Sequence, residues 1–343
     1  MLLPSIPTFD EAAAARALER QSLLVKPAGA LGRLENLSVT LAGMTGRLDW
    51  LPLRRSVVVC AGDHGVVVQG VSAYPQVVTE QMVLNFLAGG AAVNVLARQM
   101  GARVTVVDAG VNATFAPHSD LVIGKVGCET ADMTQGPAMT AEQAEAALRL
   151  GLDVAERELA RGLDVLAVGE MGIGNTTAAS AIIAAITGQS PERVTGRGTG
   201  IAEDQLTHKI AVVSRALEVN QPASDDTLAK VGGFEIGAMA GLMLGAAAAR
   251  VPVVLDGLIS TAAALIAAQL RPEVRRFLLA GHRSVEPGHQ AALAWLDLEP
   301  LLDLGMRLGE GTGALLSLPL LEAAMRTLQE MATFDGAGVS GPA

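Results

Sequence analysis

Two short stretches set a glutamate among glycines: Gly169-Glu170-Met171-Gly172-Ile173-Gly174-Asn175-Thr176-Thr177 and Gly309-Glu310-Gly311-Thr312-Gly313. Glycine lets backbone N–H groups approach an anionic ligand closely, and a carboxylate beside them is placed to handle a proton. Glu310 is the more telling of the two. With no side chain on either side it contributes little packing, which suits a closely approached base.

The 172–177 segment follows a predicted strand and opens a predicted helix, where free amides and the helix dipole hold a phosphate. It has no lysine after its glycines and no complete GxGxxG, which weighs against ATP hydrolysis and dinucleotide binding. The plainer reading is a tight strand-to-helix turn with Asn175 or Thr176 as N-cap. Gly196-Arg197-Gly198-Thr199-Gly200 is a second candidate loop. With Lys209 on the following helix it would supply cations, and an exposed basic turn is the alternative. Asp63-His64 invites an acid/base or metal reading. The five histidines, at 64, 118, 208, 282 and 289, form no HExxH pair, so no metal site is expected; hydrogen bonding near the crevice is the default role of His64 and His282, with a catalytic role the lesser alternative. Cys60 and Cys128 lack a signal for thiol activation, and Ser72 and Ser284 lack a GxSxG elbow. Asp256-Gly257 reads as a ligand contact or a turn. Residues 71–82 carry the one tyrosine, Tyr74, among apolar and hydrogen-bonding side chains, and could line a pocket for a flat aromatic ligand.

These residues need a scaffold that brings them together. Val-, Leu- and Ile-rich runs at 56–60, 103–107, 163–168, 252–255 and 276–279 each end in Gly, Asp, His or Glu, and read as parallel strands. Helical patterns at 77–100, 141–160, 176–187, 202–220 and 232–250 alternate with them, predicting a doubly wound, Rossmann-like α/β fold. In such sheets ligands bind beyond the carboxyl ends of the strands, where all five polar clusters fall. Residues 9–49 and 313–334 are helical in pattern without a clear strand, so 1–50 and 313–343 are expected to form a small helical domain beside a catalytic domain at 51–312. Residues 336–343 are expected to fray.

Composition narrows the class. Half of the 343 residues are hydrophobic, but only six Phe, two Trp and one Tyr occur, so the core must be built from small and aliphatic side chains that let elements approach closely. A net charge of −10 without Lys/Arg clusters argues against a nucleic-acid partner. The apolar runs 234–249 and 258–270 fall short of the roughly 20 residues that span a membrane and read as buried helices. The start of the chain lacks a basic segment followed by an apolar one, and the two cysteines give no disulfide framework, so a cytoplasmic protein is expected. From the residues alone, a nucleotide-dependent oxidoreductase and a non-catalytic binding protein remain alternatives on this fold.

Taken together, the motifs resemble the nicotinate-nucleotide:dimethylbenzimidazole phosphoribosyltransferase family over nearly the whole chain. The segments that carry the resemblance are 26–35 (Lys-Pro-Ala-Gly-Ala-Leu-Gly-Arg-Leu-Glu), 61–66, 72–81, 169–177, 196–200, Asp256-Gly257, 282–289 and 309–313. Ala30 stands where serine is expected, and Leu258 where phenylalanine is frequent. The resemblance implies a homodimer and a transfer of phosphoribose from nicotinate mononucleotide to 5,6-dimethylbenzimidazole, in assembly of the cobalamin nucleotide loop, with no metal or redox cofactor. It implies Glu310 as the general base, with Gly311 beside it among the substrate contacts. Glu170, Lys209, Asp256 and Gly257 are implied around nicotinate and ribose, Gly172, Gly174, Asn175 and Ser284 around phosphate, and Ser72, Tyr74 and Gln81 around the base.

Overall fold

The computed structural model describes residues 2–198 and 200–340. Met1, Thr199 of the second glycine loop and residues 341–343, part of the 336–343 segment expected to fray, lie outside these. Six strands form one sheet: β1 Arg55–Gly62, β2 Ala102–Gly110, β3 Leu121–Ile123, β4 Val165–Met171, β5 Val253–Leu255 and β6 Leu278–Ala280. Their order is β3-β2-β1-β4-β5-β6 and every pairing is parallel. The direction of winding therefore reverses between β1 and β4, the crevice where doubly wound sheets bind their ligands. Register sets Cys60 of β1 opposite Glu170 of β4, so the first acidic residue is delivered to that crevice by strand pairing.

Five of the six strands coincide with the apolar runs. The sequence reading missed β3, Leu-Val-Ile, whose three residues pair at the sheet edge with Val106 to Asp108 and are too short an apolar run to stand out. β6 begins later than the pattern predicts because Pro272–Phe277 closes a 3-10 helix first. The predicted helix at 77–100 is two helices, Val78–Leu87 and Ala92–Met100. Gly89 between them has φ +76°, a left-handed conformation that ends a helix. Asn94 bridges the break: its Oδ1 accepts from Ala91 N–H at 3.2 Å and its Nδ2 donates to Phe86 O at 3.0 Å.

The Ala- and Gly-rich composition has a direct structural counterpart. Helices Ala141–Ala160 and Phe234–Ala248 pack so closely that a Cβ on Gly151 would overlap the carbonyl of Ala238, and one on Gly241 that of Leu148. Backbone lies on backbone, so glycine is required at both crossings. Near the chain ends, Glu11–Leu23, Arg33–Thr45 and Thr312–Glu330 pack together, and the last of these also touches Ala92–Met100 and β4. Lys26 and Glu35 form a 2.9 Å ion pair across the turn between the first two helices, which assigns the 26–35 motif a structural task. Among the described residues no helix is long and apolar enough to cross a membrane.

Candidate active site

Beyond the carboxyl ends of β4, β5 and β6 lies a cavity of about 550 Å³, within the usual size of small-molecule sites. Tyr74, Glu170, Gly172, Asn175, Gly257, Ser284 and Glu310, seven of the residues singled out in the sequence, line it together. Gly174, Lys209, Asp256 and Gly311 are not on its wall. Gly174, at φ +94°, packs its Cα side against Val67 and His64, and Gly311 packs on Val57 and Gly169. Ser72 is half-buried and accepts from Tyr74 N–H at 3.1 Å, outside the cavity wall. Gln81 is exposed on the face of Val78–Leu87 that also carries Val77 and Leu84, while Val78 and Met82 of the same helix face the cavity.

Glu310 sits in an uncommon backbone. Gly309, Glu310 and Gly311 have φ of +86°, +63° and +87°, and a non-glycine residue held in that region costs about 1–3 kcal/mol. Three contacts impose the conformation. The turn lies directly on β4, where a Cβ on Gly169 would overlap the Glu310 carbonyl group; a Cβ on Gly309 would overlap Glu170 Oε1. From behind, Asp256 Oδ2 accepts from Gly311 N–H at 3.1 Å, and its Oδ1 accepts from Gly313 N–H at 2.7 Å and Ala314 N–H at 3.2 Å. Glu310 itself is 6% exposed, and its Oε2 has no protein partner. Burial pushes its carboxyl pKa above the ordinary value; a hydrogen bond from the Val93 backbone opposes this and the nearby Asp256 charge adds to it. A buried carboxylate with a raised pKa and a free oxygen is equipped to accept a proton near neutral pH.

Glu170, at the end of β4, is pushed up to about 8. Burial is the main cause, opposed by a hydrogen bond from Asn175 Nδ2 and reinforced by Asp256, Glu235 and Glu310. Asn175 is thus bound to Glu170, and Gly174 rather than Asn175 or Thr176 occupies the N-cap of Asn175–Thr187. That helix and Leu258–Leu270 both point their N-termini at the cavity, which favours an anion there. One layer back, Lys209 is 1% exposed and donates to Thr176 Oγ1 at 2.7 Å. Burial lowers its pKa to about 8, with Glu286 acting in the opposite sense. Glu286 lines the cavity and accepts from Gly198 N–H at 2.9 Å. Beneath the glycine loop, His64 and Glu235 form a buried pair at 2.7 Å. Burial disfavours the charged imidazole, but Glu235 and Asp63 outweigh it and hold the His64 pKa up. His64 therefore has the structural role expected of it.

Several lining residues escaped the sequence reading. Arg307 lies on an irregular segment with no motif of its own, and Ile259 and Leu308 are apolar residues of a kind found throughout the chain; Val78, Met82 and Glu286 fall within the 71–82 and 282–289 segments noted in the sequence but were not singled out there. His282, for which hydrogen bonding near the crevice was the default reading and a catalytic role the lesser one, lines the cavity and lies 3.4 Å from Asp256 Oδ1.

An all-parallel sheet wound in this order, with two protonatable carboxyls and two helix N-termini meeting at one cavity beyond its strand ends, defines an α/β protein that can hold an anionic ligand beside a base. A family profile described as phosphoribosyltransferase matches residues 6–339. Relatives named nicotinate-nucleotide–dimethylbenzimidazole phosphoribosyltransferase include one from Chloroflexus aurantiacus, 57% identical, and one from Roseiflexus sp., 58% identical. Each alignment covers 98% of this chain and 96% of the relative. The crystal structure of the protein so named from Thermus thermophilus, 49% identical, superimposes with a TM-score of 0.93 over 97% of this chain and 100% of that one. This chain belongs to the nicotinate-nucleotide–dimethylbenzimidazole phosphoribosyltransferase family.

Proposed function

We propose that the protein transfers phosphoribose from nicotinate mononucleotide to 5,6-dimethylbenzimidazole, giving α-ribazole 5′-phosphate and nicotinate, in assembly of the cobalamin nucleotide loop. The observation that carries this reading is Glu310: a buried carboxylate with one free oxygen, held in a left-handed turn at the wall of a cavity that also receives two helix N-termini. In this scheme one benzimidazole nitrogen attacks C1′ while Glu310 takes the proton from the other. The C1′–pyridinium bond breaks, its electron pair returns to the pyridine nitrogen, and the configuration at C1′ inverts. Nicotinate leaves with a neutral ring nitrogen, so no general acid, metal or redox cofactor is needed. Holding the two substrates in line supplies much of the acceleration. Incubation with both substrates and chromatography for free nicotinate tests the proposal; no nicotinate release would sink it.

Within this reading Gly172, Asn175, Ser284 and the amides around them receive the phosphate, with Gly174 shaping their loop. Gly257 and Glu170 adjoin ribose and nicotinate, Lys209 contributes its charge through Thr176, and Tyr74 covers the base. Lys209→Met is expected to weaken nicotinate mononucleotide about tenfold by calorimetry, the scale of losing a hydrogen bond to a charged group. Glu170 gives a pH signature. Its pKa of about 8 leaves it mostly protonated at pH 7.5, and a bound pyridinium cation favours the ionised form. Mononucleotide binding at pH 7.5 should therefore release a proton, seen as a dependence of the binding heat on buffer ionisation enthalpy. In Glu170→Gln that component should be absent.

We also infer a cytoplasmic homodimer. Tyr74, Val77 and Leu84 are each about half exposed beside the cavity, and a second copy over this face would cover them and enclose Ser72 and Gln81 with the base. Residues 1–50 and 313–343 are read as a small helical domain and 51–312 as the catalytic domain, supported by the packing of Glu11–Leu23, Arg33–Thr45 and Thr312–Glu330 on one another.

A further inference from the structure

Asp256 is 1% exposed, stands at the end of β5, and has no place on the cavity wall. The hydrogen bonds of its carboxylate go to the turn that follows Glu310. Oδ2 takes the N–H of Gly311, the peptide that begins at the Glu310 carbonyl, and Oδ1 takes those of Gly313 and Ala314 at the start of Thr312–Glu330. His282, just beyond β6, completes the grip. Its Nε2 lies 3.4 Å from Asp256 Oδ1, and a Cβ on Gly313 would overlap its ring. β5 and β6 are in register at Leu255 and Ala280, so the two residues are brought to the turn by strand pairing. The Glu310 side chain, in contrast, has one oxygen with no partner, so its position depends on its backbone more than on its own contacts.

We propose that Asp256 is a positioning residue for Glu310, clamping the left-handed 309–311 turn through three backbone N–H groups with His282 as its brace, and that it makes no contact with substrate. The inference rests on Glu310 being the base. Because Asp256 is charged, it acts on Glu310 in a second way, adding to burial in holding the Glu310 carboxyl above its ordinary pKa. A clamp and a fixed charge can be separated by substitution. Asparagine keeps the size and one acceptor but loses the charge and presents an NH2 group to an N–H donor; glutamate keeps the charge but displaces both oxygens.

The test is steady-state kinetics of Asp256→Asn and Asp256→Glu across pH, with Glu310→Gln measured in parallel. For Asp256→Asn, kcat is expected to fall by about 100-fold, the scale of an ångström-level misplacement. Its KM for nicotinate mononucleotide should stay within about twofold, since substrate contacts are intact. The acid limb of kcat/KM, which reports the free enzyme's base, should move to lower pH, because the neighbouring negative charge is gone. For Asp256→Glu, kcat should fall while the acid limb stays where it is in the parent protein. A raised KM with unchanged kcat would make Asp256 a substrate contact and overturn the proposal, as would an unmoved acid limb in Asp256→Asn. So would failure of both variants to fold, which would reduce Asp256 to a stability element. Full turnover in Glu310→Gln would instead remove Glu310 as the base, a failure distinguishable from the others.

Discussion

Glu310→Gln should lower kcat by about 10²–10⁴-fold, the range general-base catalysis contributes, while nicotinate mononucleotide binds with nearly unchanged affinity. The substitution keeps the size of the side chain and removes its ability to take a proton. Because Glu310 is buried and its carboxyl pKa is raised, the parent protein should lose turnover as pH falls through that raised value, since the protonated form cannot act as a base. The residual activity of Glu310→Gln should lack this acid limb. Single-turnover measurement of nicotinate release, beside calorimetric binding of the mononucleotide, separates the two quantities. Turnover within about threefold of the parent, far short of a general base's contribution, would take the proton-accepting role from Glu310.

Gly169→Ala should have the next largest effect, though Gly169 does not itself line the cavity. Its added methyl would meet the carbonyl carbon and oxygen of Glu310 and the nitrogen of Gly311, all backbone atoms that no rotamer change can clear. The strand is pinned on both sides, by β1 and β5, so the turn must move instead. A shift of about an ångström in a catalytic group costs about 100-fold in kcat, and overpacking costs about 1–3 kcal/mol of stability. Circular dichroism melting and kcat of the same preparation check both. A variant that melts early but turns over normally would show that the turn tolerates displacement.

Much of the scaffold was legible because parallel strands buried on both faces read as apolar runs, and because their polar ends mark the ligand side. The strand that escaped, Leu121–Ile123, is short and lies at the edge, where pairing replaces pattern. The break at Gly89 escaped because helical periodicity continues through it; only the positive φ shows that the chain turns. At the site, glycine-flanked acids were visible as such. Their ranking by contact was not. Asp256 and Ser284 look alike in sequence as polar residues at strand ends, yet Ser284 faces the cavity and Asp256 is turned toward backbone N–H groups. Arg307 was invisible and Glu286 was marked only by lying within 282–289, since irregular segments carry no periodicity from which to infer where a side chain goes.

The crossing of Ala141–Ala160 on Phe234–Ala248 bears on how this protein tolerates change. Where helices meet through glycine and alanine, few side-chain rotamers are frozen on folding, so close approach is reached with little loss of conformational entropy. There is correspondingly little to lose by truncation at such a crossing. Its vulnerability runs the other way: a single added methyl at Gly151 or Gly241 strikes the opposite main chain. Sequence drift in this layer is therefore limited by growth of side chains, whereas in cores filled by leucine and phenylalanine it is limited by their shrinkage.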